Sequence, residues 1–313
     1  MAWIATAGSS MPADDGVFVA NAEPVLLWNG GEFTEGVAVR SDGLVFFSDI
    51  PSDPVIPGRI LVFDPATEKT QVFCANSSKS NGLAFDSGDR MLACCGANGG
   101  LRALCEVTEY GLVRGISEMF EKEPFNSPND LAIHPDGSIY FSDPRYVGFE
   151  PLALPGMWVF RFDPKTGATN VATKFASKPN GIGISPDGKT IYVANTDNGS
   201  VGLPDEPAGS KKRMTLEAFD ISNDGTLTHR MTLVDFGEDD GIDGMTVDAS
   251  GRIFAAVRSE NRFGIAAYSP AGNELAFLKT PTLPSNCCLG AGNDAKTLYI
   301  TAGGELYCVK VKM

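Results

Sequence analysis

Histidine is nearly absent from this chain of 313 residues, which carries only His134 and His229. A zinc site or a Ser/His/Asp triad built on imidazole has almost nothing to draw on, and both histidines read as surface residues, one in an IHPDG turn and one in a TLTHRM strand. Basic charge is also short: 25 Lys and Arg stand against 39 Asp and Glu, a formal net charge of -14. That balance argues against nucleic acid or anionic lipid as partners, since both require a basic face. The KKR run at Lys211 to Arg213 is too short to reverse it and reads as a solvated loop. No apolar run approaches the roughly 18 residues of a membrane span. The opening MAWIATAGSSMPADDG lacks the charged start and long apolar stretch of a secretory signal, so a cytoplasmic location is expected. The seven cysteines show no CxxC spacing. Most sit in strand-like runs such as MLACC and ELYCVKV, where reduced Cys acts as a small buried hydrophobe. The vicinal pairs Cys94-Cys95 and Cys287-Cys288 should face opposite sides of their strands. No GxSxG elbow, phosphate-binding GxxxxGK[ST] loop or dinucleotide fingerprint occurs either.

What the chain does have is repetition. The stretch Ser127 to Tyr146, SPNDLAIHPDGSIYFSDPRY, reads as a strand from Asn129, a Pro135-Asp136-Gly137 turn and a second strand from Ile139 to Ser142. Five other segments repeat the pattern: EGVAVRSDGLVFFSD from Glu35, NGLAFDSGDRMLACC from Asn81, NGIGISPDGKTIYVAN from Asn180, DGMTVDASGRIFAAV from Asp243 and NCCLGAGNDAKTLYIT from Asn286. The six starts are 46, 48, 51, 63 and 43 residues apart. Such periods, with several short strands in each, mark propeller blades. A third run, as in RILVFDP or WVFRFDP, and a fourth, as in TQVFC or TNVATKF, follow the hairpin. The expected fold is therefore an all-β, six-bladed β-propeller with four antiparallel strands per blade. The last repeat supplies only three strands, and EPVLLW at Glu23 to Trp28 is free to be the fourth, closing the ring from the N-terminus. Residues 1–22 are then expected to be a flexible leader and residues 23–313 one propeller domain. Loops after the second strands, Asp49 to Gly58, Arg145 to Gly156 and Thr196 to Arg213, should emerge on one face as candidate pocket walls.

The first strand of each blade lines the central channel, so the six starting residues form a ring: Glu35, Asn81, Asn129, Asn180, Asp243, Asn286. Each offers a side-chain oxygen, and none offers sulfur or imidazole. Such a ring suits a hard divalent cation, and Ca²⁺ tolerates the mixed geometry best. Asn or Asp before Gly is also an ordinary turn former. Against that simpler reading stand six positions in register, one of them a Glu, which is a poor turn residue. Asp130 should alternate away from the channel if Asn129 faces it, so it is not counted as a ligand.

The segments EGVAV, SPNDLAIHPDGSIYFSDPRY, PNGIGISPDGKTIYVAN and DGIDGMTVDASGRI, in that order, resemble the gluconolactonase and regucalcin (senescence marker protein) family of six-bladed propellers. The drug-responsive lactonases and the squid-type diisopropylfluorophosphatase are similar relatives. The resemblance implies a Ca²⁺-dependent hydrolase with its metal at Glu35, Asn129, Asn180 and Asp243, and Asp243 as acid/base or nucleophile. It also shows a departure. Sugar lactonases of this kind carry an Arg two residues before the Asn129 position, where this chain has Ser127.

The expected activity is hydrolysis of a lactone or related ester, with Asp243 as general base and Asn81, Asn286, Ser127 and Tyr146 as substrate contacts. Phosphotriester hydrolysis at the same site is the alternative, its more apolar pocket drawn from Phe149, Leu152, Leu154, Met157 and Trp158. A non-catalytic binding propeller stabilised by Ca²⁺ is the third. The partner expected throughout is a small molecule, and the sequence carries no signal of oligomeric state.

Overall fold

The computed structural model describes residues 16–203 and 209–312. Six four-stranded antiparallel sheets follow one another along the chain, as the repeats require. Blade one comprises Thr34–Val39, Val45–Asp49, Arg59–Asp64 and Lys69–Cys74, and blades two to five open on Ser80–Phe85, Leu131–Ile133, Pro179–Ile184 and Ile242–Val247. Blade six is built from Pro284–Leu289, Thr297–Ala302 and Glu305–Lys310, and its outer strand is Val25–Asn29, donated from the N-terminal side. The six first strands contact one another in ring order, blade six meeting blade one. This closes the propeller, whose separate sheets keep only short, protected edges. The described residues contain no α-helix, only a 3₁₀ turn at Gly292–Asp294, and a short extra hairpin pairs Met119–Phe120 with Glu123–Pro124.

The seam is held by directional bonds as well as by packing. Thr34 donates from its backbone N–H to Gly303 O at 2.7 Å and from its hydroxyl to Glu305 O at 2.7 Å. Ser285 Oγ donates to Thr34 O at 2.6 Å, and Trp28 meets Phe47 edge-on at 5.3 Å. Of the expected leader, residues 1–15 lie outside the described residues. Val17 and Phe18 are buried, and Phe18 forms a β-bridge to Val311, so the chain is tied to the last blade ahead of Val25.

The apolar side chains of each blade pack against the next in separate clusters between adjacent sheets. The vicinal cysteines show the alternation directly: Cys94 joins the cluster between blades two and three, and Cys95 the one between blades one and two. All seven cysteines are free thiols. Neither histidine reaches the channel. His134 bonds Gly188 O and His229 bonds Glu217 while stacking on Phe175.

At the axis the inner strands converge so closely that side chains cannot be accommodated at one level. Gly36 adopts a φ of 53°, and a Cβ there would sit 1.8 Å from Asn81 O of the next blade. Gly36→Ala is therefore expected to cost at least about 2 kcal/mol, combining the left-handed backbone with the backbone clash. Chemical denaturation would measure it, and a loss below about 0.5 kcal/mol would contradict the close approach.

Candidate functional site

The ring residues owe their aim to bulges. Pairing of the two innermost strands slips between Glu35 and Ala38, Ser80 and Leu83, Pro179 and Ile182, Ile242 and Met245, and Pro284 and Asn286. In blade three the regular pairing begins only at Leu131. A bulge bends its strand and re-aims one side chain. Repeated at the ring position, it turns these side chains toward one another.

Five of the six, Glu35, Asn81, Asn129, Asn180 and Asp243, line one cavity of about 580 Å³. Asn180 Nδ2 donates to Asp243 Oδ1 at 2.8 Å. Burial, then the charge of Asp243, pushes the Glu35 carboxyl well above the usual carboxylate range, and burial raises Asp243 itself against the pull of Arg258 and Asn180. Asn286 is buried but is not among the lining residues, its Oδ1 accepting the Cys287 N–H at 2.8 Å and its amide lying against Gly244. Tyr146 and Ser127 both line the cavity. The Tyr146 hydroxyl donates to Thr196 O at 2.9 Å, and burial holds its pKa well above the ordinary value.

One charged residue that the sequence pattern did not single out completes the site. Arg258 lines the cavity, with Nη1 3.2 Å from Asp243 Oδ2. Asp130 is not among the cavity-lining residues, as its alternation with Asn129 leads one to expect. Its Oδ2 accepts the Ile182 N–H at 3.2 Å and its Oδ1 the Leu131 N–H at 2.9 Å, off the cavity wall. Burial raises this carboxyl to about 7, with the Asp243 charge adding to the shift.

The Ser127 loop is braced from behind. Asp143 accepts the backbone N–H of Ser127 at 2.6 Å and of Asn126 at 2.8 Å, and burial lifts it to about 7. Arg145, fully buried, donates to Asn126 O at 2.9 Å and pairs with Glu150. Glu150 in turn accepts the N–H groups of Asn98 and Gly99 in the neighbouring blade. Ser127 Oγ accepts the Ala97 N–H at 2.9 Å, which leaves the hydroxyl hydrogen for a ligand. The loops expected to wall the pocket do so through Ile50, Pro51, Ser52, Tyr146, Val147, Thr196 and Asn198. The apolar residues expected to widen it do not. Leu152, Leu154 and Met157 line a separate cavity of about 430 Å³, Phe149 is exposed, and Trp158 packs on Phe120 and Phe160.

Among the described residues, no three His, Cys, Asp or Glu side chains are gathered closely enough to hold a metal by themselves. The donors assembled here are two carboxylates and amide oxygens. The set still fits a hard divalent cation, because Glu35 and Asp243 are buried together and disfavour each other's ionised form.

The family model described as SMP-30/Gluconolactonase/LRE-like region matches residues 33–304. The chain belongs to this family. It is 30% identical over 231 residues to the gluconolactonase of Zymomonas mobilis, an alignment covering 69% of this chain and 59% of that protein. It is 29% identical over 179 residues to the pentonolactonase of Haloferax volcanii, covering 56% and 54%. The chain thus spans less than two thirds of the length of these curated relatives. Two solved structures share the fold: a gluconolactonase of Xanthomonas campestris (TM-score 0.80, 24% identity, covering 96% of this chain and 92% of that one) and the calcium-binding protein regucalcin of Agrobacterium tumefaciens (TM-score 0.71, 20% identity, 93% and 95%).

The raised carboxyls set a pH dependence. Asp130 and Asp143 bind their protons more tightly folded than unfolded, where an Asp titrates near about 4. The stability they confer is complete below that value and is lost as pH rises to about 7. Carboxylates with lowered pKa values are already ionised in both states above pH ~5, so they do not mask the trend. The urea midpoint of cation-free protein is expected to fall between pH ~5 and ~8. A midpoint that rises across that window would contradict the assignment.

Proposed function

We propose that the chain is a lactone-opening hydrolase whose reaction takes place on the ring at the cavity floor, with Ca²⁺ as the resident cation. The observation that carries this reading is the buried pair Glu35 and Asp243, joined to Asn180 in a cavity open to small molecules, in a chain of a family whose curated members include lactonases. Glu35, Asn180 and Asp243 would hold the cation, with Asn129 beside them; when bound, it supplies Lewis-acid polarisation of the carbonyl oxygen.

Asp243 is the general base. Asn180 holds Oδ1, which orients the carboxylate, and Oδ2, which Arg258 approaches at 3.2 Å, is the oxygen that takes a proton from water. The raised pKa of Asp243 suits this task, since a base of ordinary carboxylate strength would bind the proton too weakly near neutral pH. As the water oxygen bonds to the carbonyl carbon and the ring C–O bond breaks, the proton on Asp243 passes to the departing alkoxide oxygen. The hydroxy acid formed then loses its own proton to solvent. Ser127 and Tyr146 border the substrate space, Ser127 presenting a neutral hydroxyl donor. Asn81 lines the same wall. Asn286 acts as a support for the inner strand of blade five, given its seat against Gly244.

Phosphotriester hydrolysis lacks its expected apolar wall, since those side chains sit elsewhere. A pH-indicator assay over aldonolactones, simple γ- and δ-lactones and phosphotriesters tests the assignment. Turnover of a lactone is expected, abolished by chelator and restored by Ca²⁺. Asp243→Asn and Glu35→Gln should each lower kcat/KM by at least ~100-fold. Undiminished activity in either variant or in excess chelator would sink the mechanism. Ca²⁺-dependent stabilisation without turnover of any substrate would leave a binding propeller.

A further inference from the structure

Arg258 has no role in the proposed reaction, yet it forms an ion pair with a ring carboxylate. It follows the second strand of blade five, Ile253–Val257, and its backbone N–H donates to Gly241 O at 2.9 Å. Its Nη1 donates to Pro284 O at 3.1 Å and lies 3.2 Å from Asp243 Oδ2, and the guanidinium sits 5.8 Å from the centre of the Phe33 ring. Three quarters of the side chain is withdrawn from solvent. The other cation lining the cavity, Lys79, is directed elsewhere, its Nζ donating to Pro51 O at 2.6 Å and Asp53 O at 2.8 Å.

The electrostatic consequence is direct. Glu35 and Asp243 are buried side by side, with Asp130 close behind, and carboxylates removed from water need a countercharge or a proton. Arg258 supplies the countercharge. Its contact is to Oδ2, the carboxylate oxygen that Asn180 leaves open. A divalent cation at Asp243 and a guanidinium on the same carboxylate would repel each other across a poorly screened space.

Resting on the cation site proposed above, we infer that Arg258 is the ring's internal counter-ion, which holds Asp243 while the site is free of cation and is displaced from Asp243 Oδ2 when a divalent cation binds. Arg258 therefore sets the affinity of the site. It does so without touching the cation. Its anchors outside the ring, Pro284 O and the Phe33 face, hold the guanidinium within reach for its return.

Calcium titration calorimetry on chelator-stripped full-length protein tests this with Arg258→Met, which keeps the bulk and removes the charge. The variant is expected to bind Ca²⁺ at least ~10-fold tighter than wild type, equivalent to about 1.4 kcal/mol, and to have a lower Tm than wild type when cation-free. A residue that only supported the fold would lower Tm and leave calcium affinity unchanged or weaker, which would overturn the inference. Crystal structures of the wild type with and without Ca²⁺ give a readout independent of the variant's folding. The Arg258–Asp243 contact is expected only in the cation-free form, and its persistence beside bound Ca²⁺ would overturn the inference. Absence of Ca²⁺ binding in wild type and variant alike would remove the cation site and the inference together. Lactone turnover, or its absence, bears on the proposed activity alone.

Discussion

Two carboxylates buried side by side at the axis of a closed ring are an unfavourable arrangement, and much of the surrounding structure answers to it. Desolvation and mutual repulsion both favour a proton on one of them, and both penalties fall when positive charge arrives. A fold that gathers two such groups against a single guanidinium is suited to an external cation. The propeller is able to do this because its inner strands are held from outside. Each blade packs against its neighbours through apolar clusters, so the cost of crowding oxygen atoms at the centre is offset by burial further out.

The same logic extends behind the site. Asp143, Arg145 and Glu150 form a buried chain of charge-assisted bonds running from the Ser127 loop to the loop of the neighbouring blade. Such a chain fixes the backbone of Asn126 and Ser127 far more tightly than loop packing alone, because removing one member would leave a buried charge unpaired. The cavity wall is thus a rigid continuation of blades two and three. The single hydroxyl that Ser127 presents there is positioned by bonds on both sides, at its backbone N–H and at its Oγ.

Much of this was legible in the sequence, and the limits of legibility have physical causes. The period of the hairpin repeats gave six blades, and the three-stranded last repeat implied an N-terminal closing strand, which is Val25–Asn29. The ring residues could be chosen because a recurring position in a radial repeat converges in space. Glycine after the ring residue reads locally as turn chemistry. In the structure Gly36 answers instead to a neighbouring strand, a long-range constraint that no local pattern carries. Alternation separates Asn129, on the cavity wall, from Asp130, whose carboxylate accepts the Leu131 and Ile182 N–H groups behind it. Arg258 was missed since it belongs to a short loop with no repeat partner of its type, and only its distance to Asp243 marks it. The apolar residues of the blade-three insertion are near the site in sequence but are drawn to a different cavity and to the core.

On the proposed reading the ring is one site, assembled from separate blades to hold one cation. The most direct measurement is anomalous diffraction from crystals soaked in Mn²⁺ or Tb³⁺ as a stand-in for Ca²⁺. One strong peak is expected at the cavity floor, in contact with oxygens of Glu35, Asn180 and Asp243. Strong density elsewhere with the floor vacant, or an ion that leaves Glu35 and Asp243 unliganded, would contradict it.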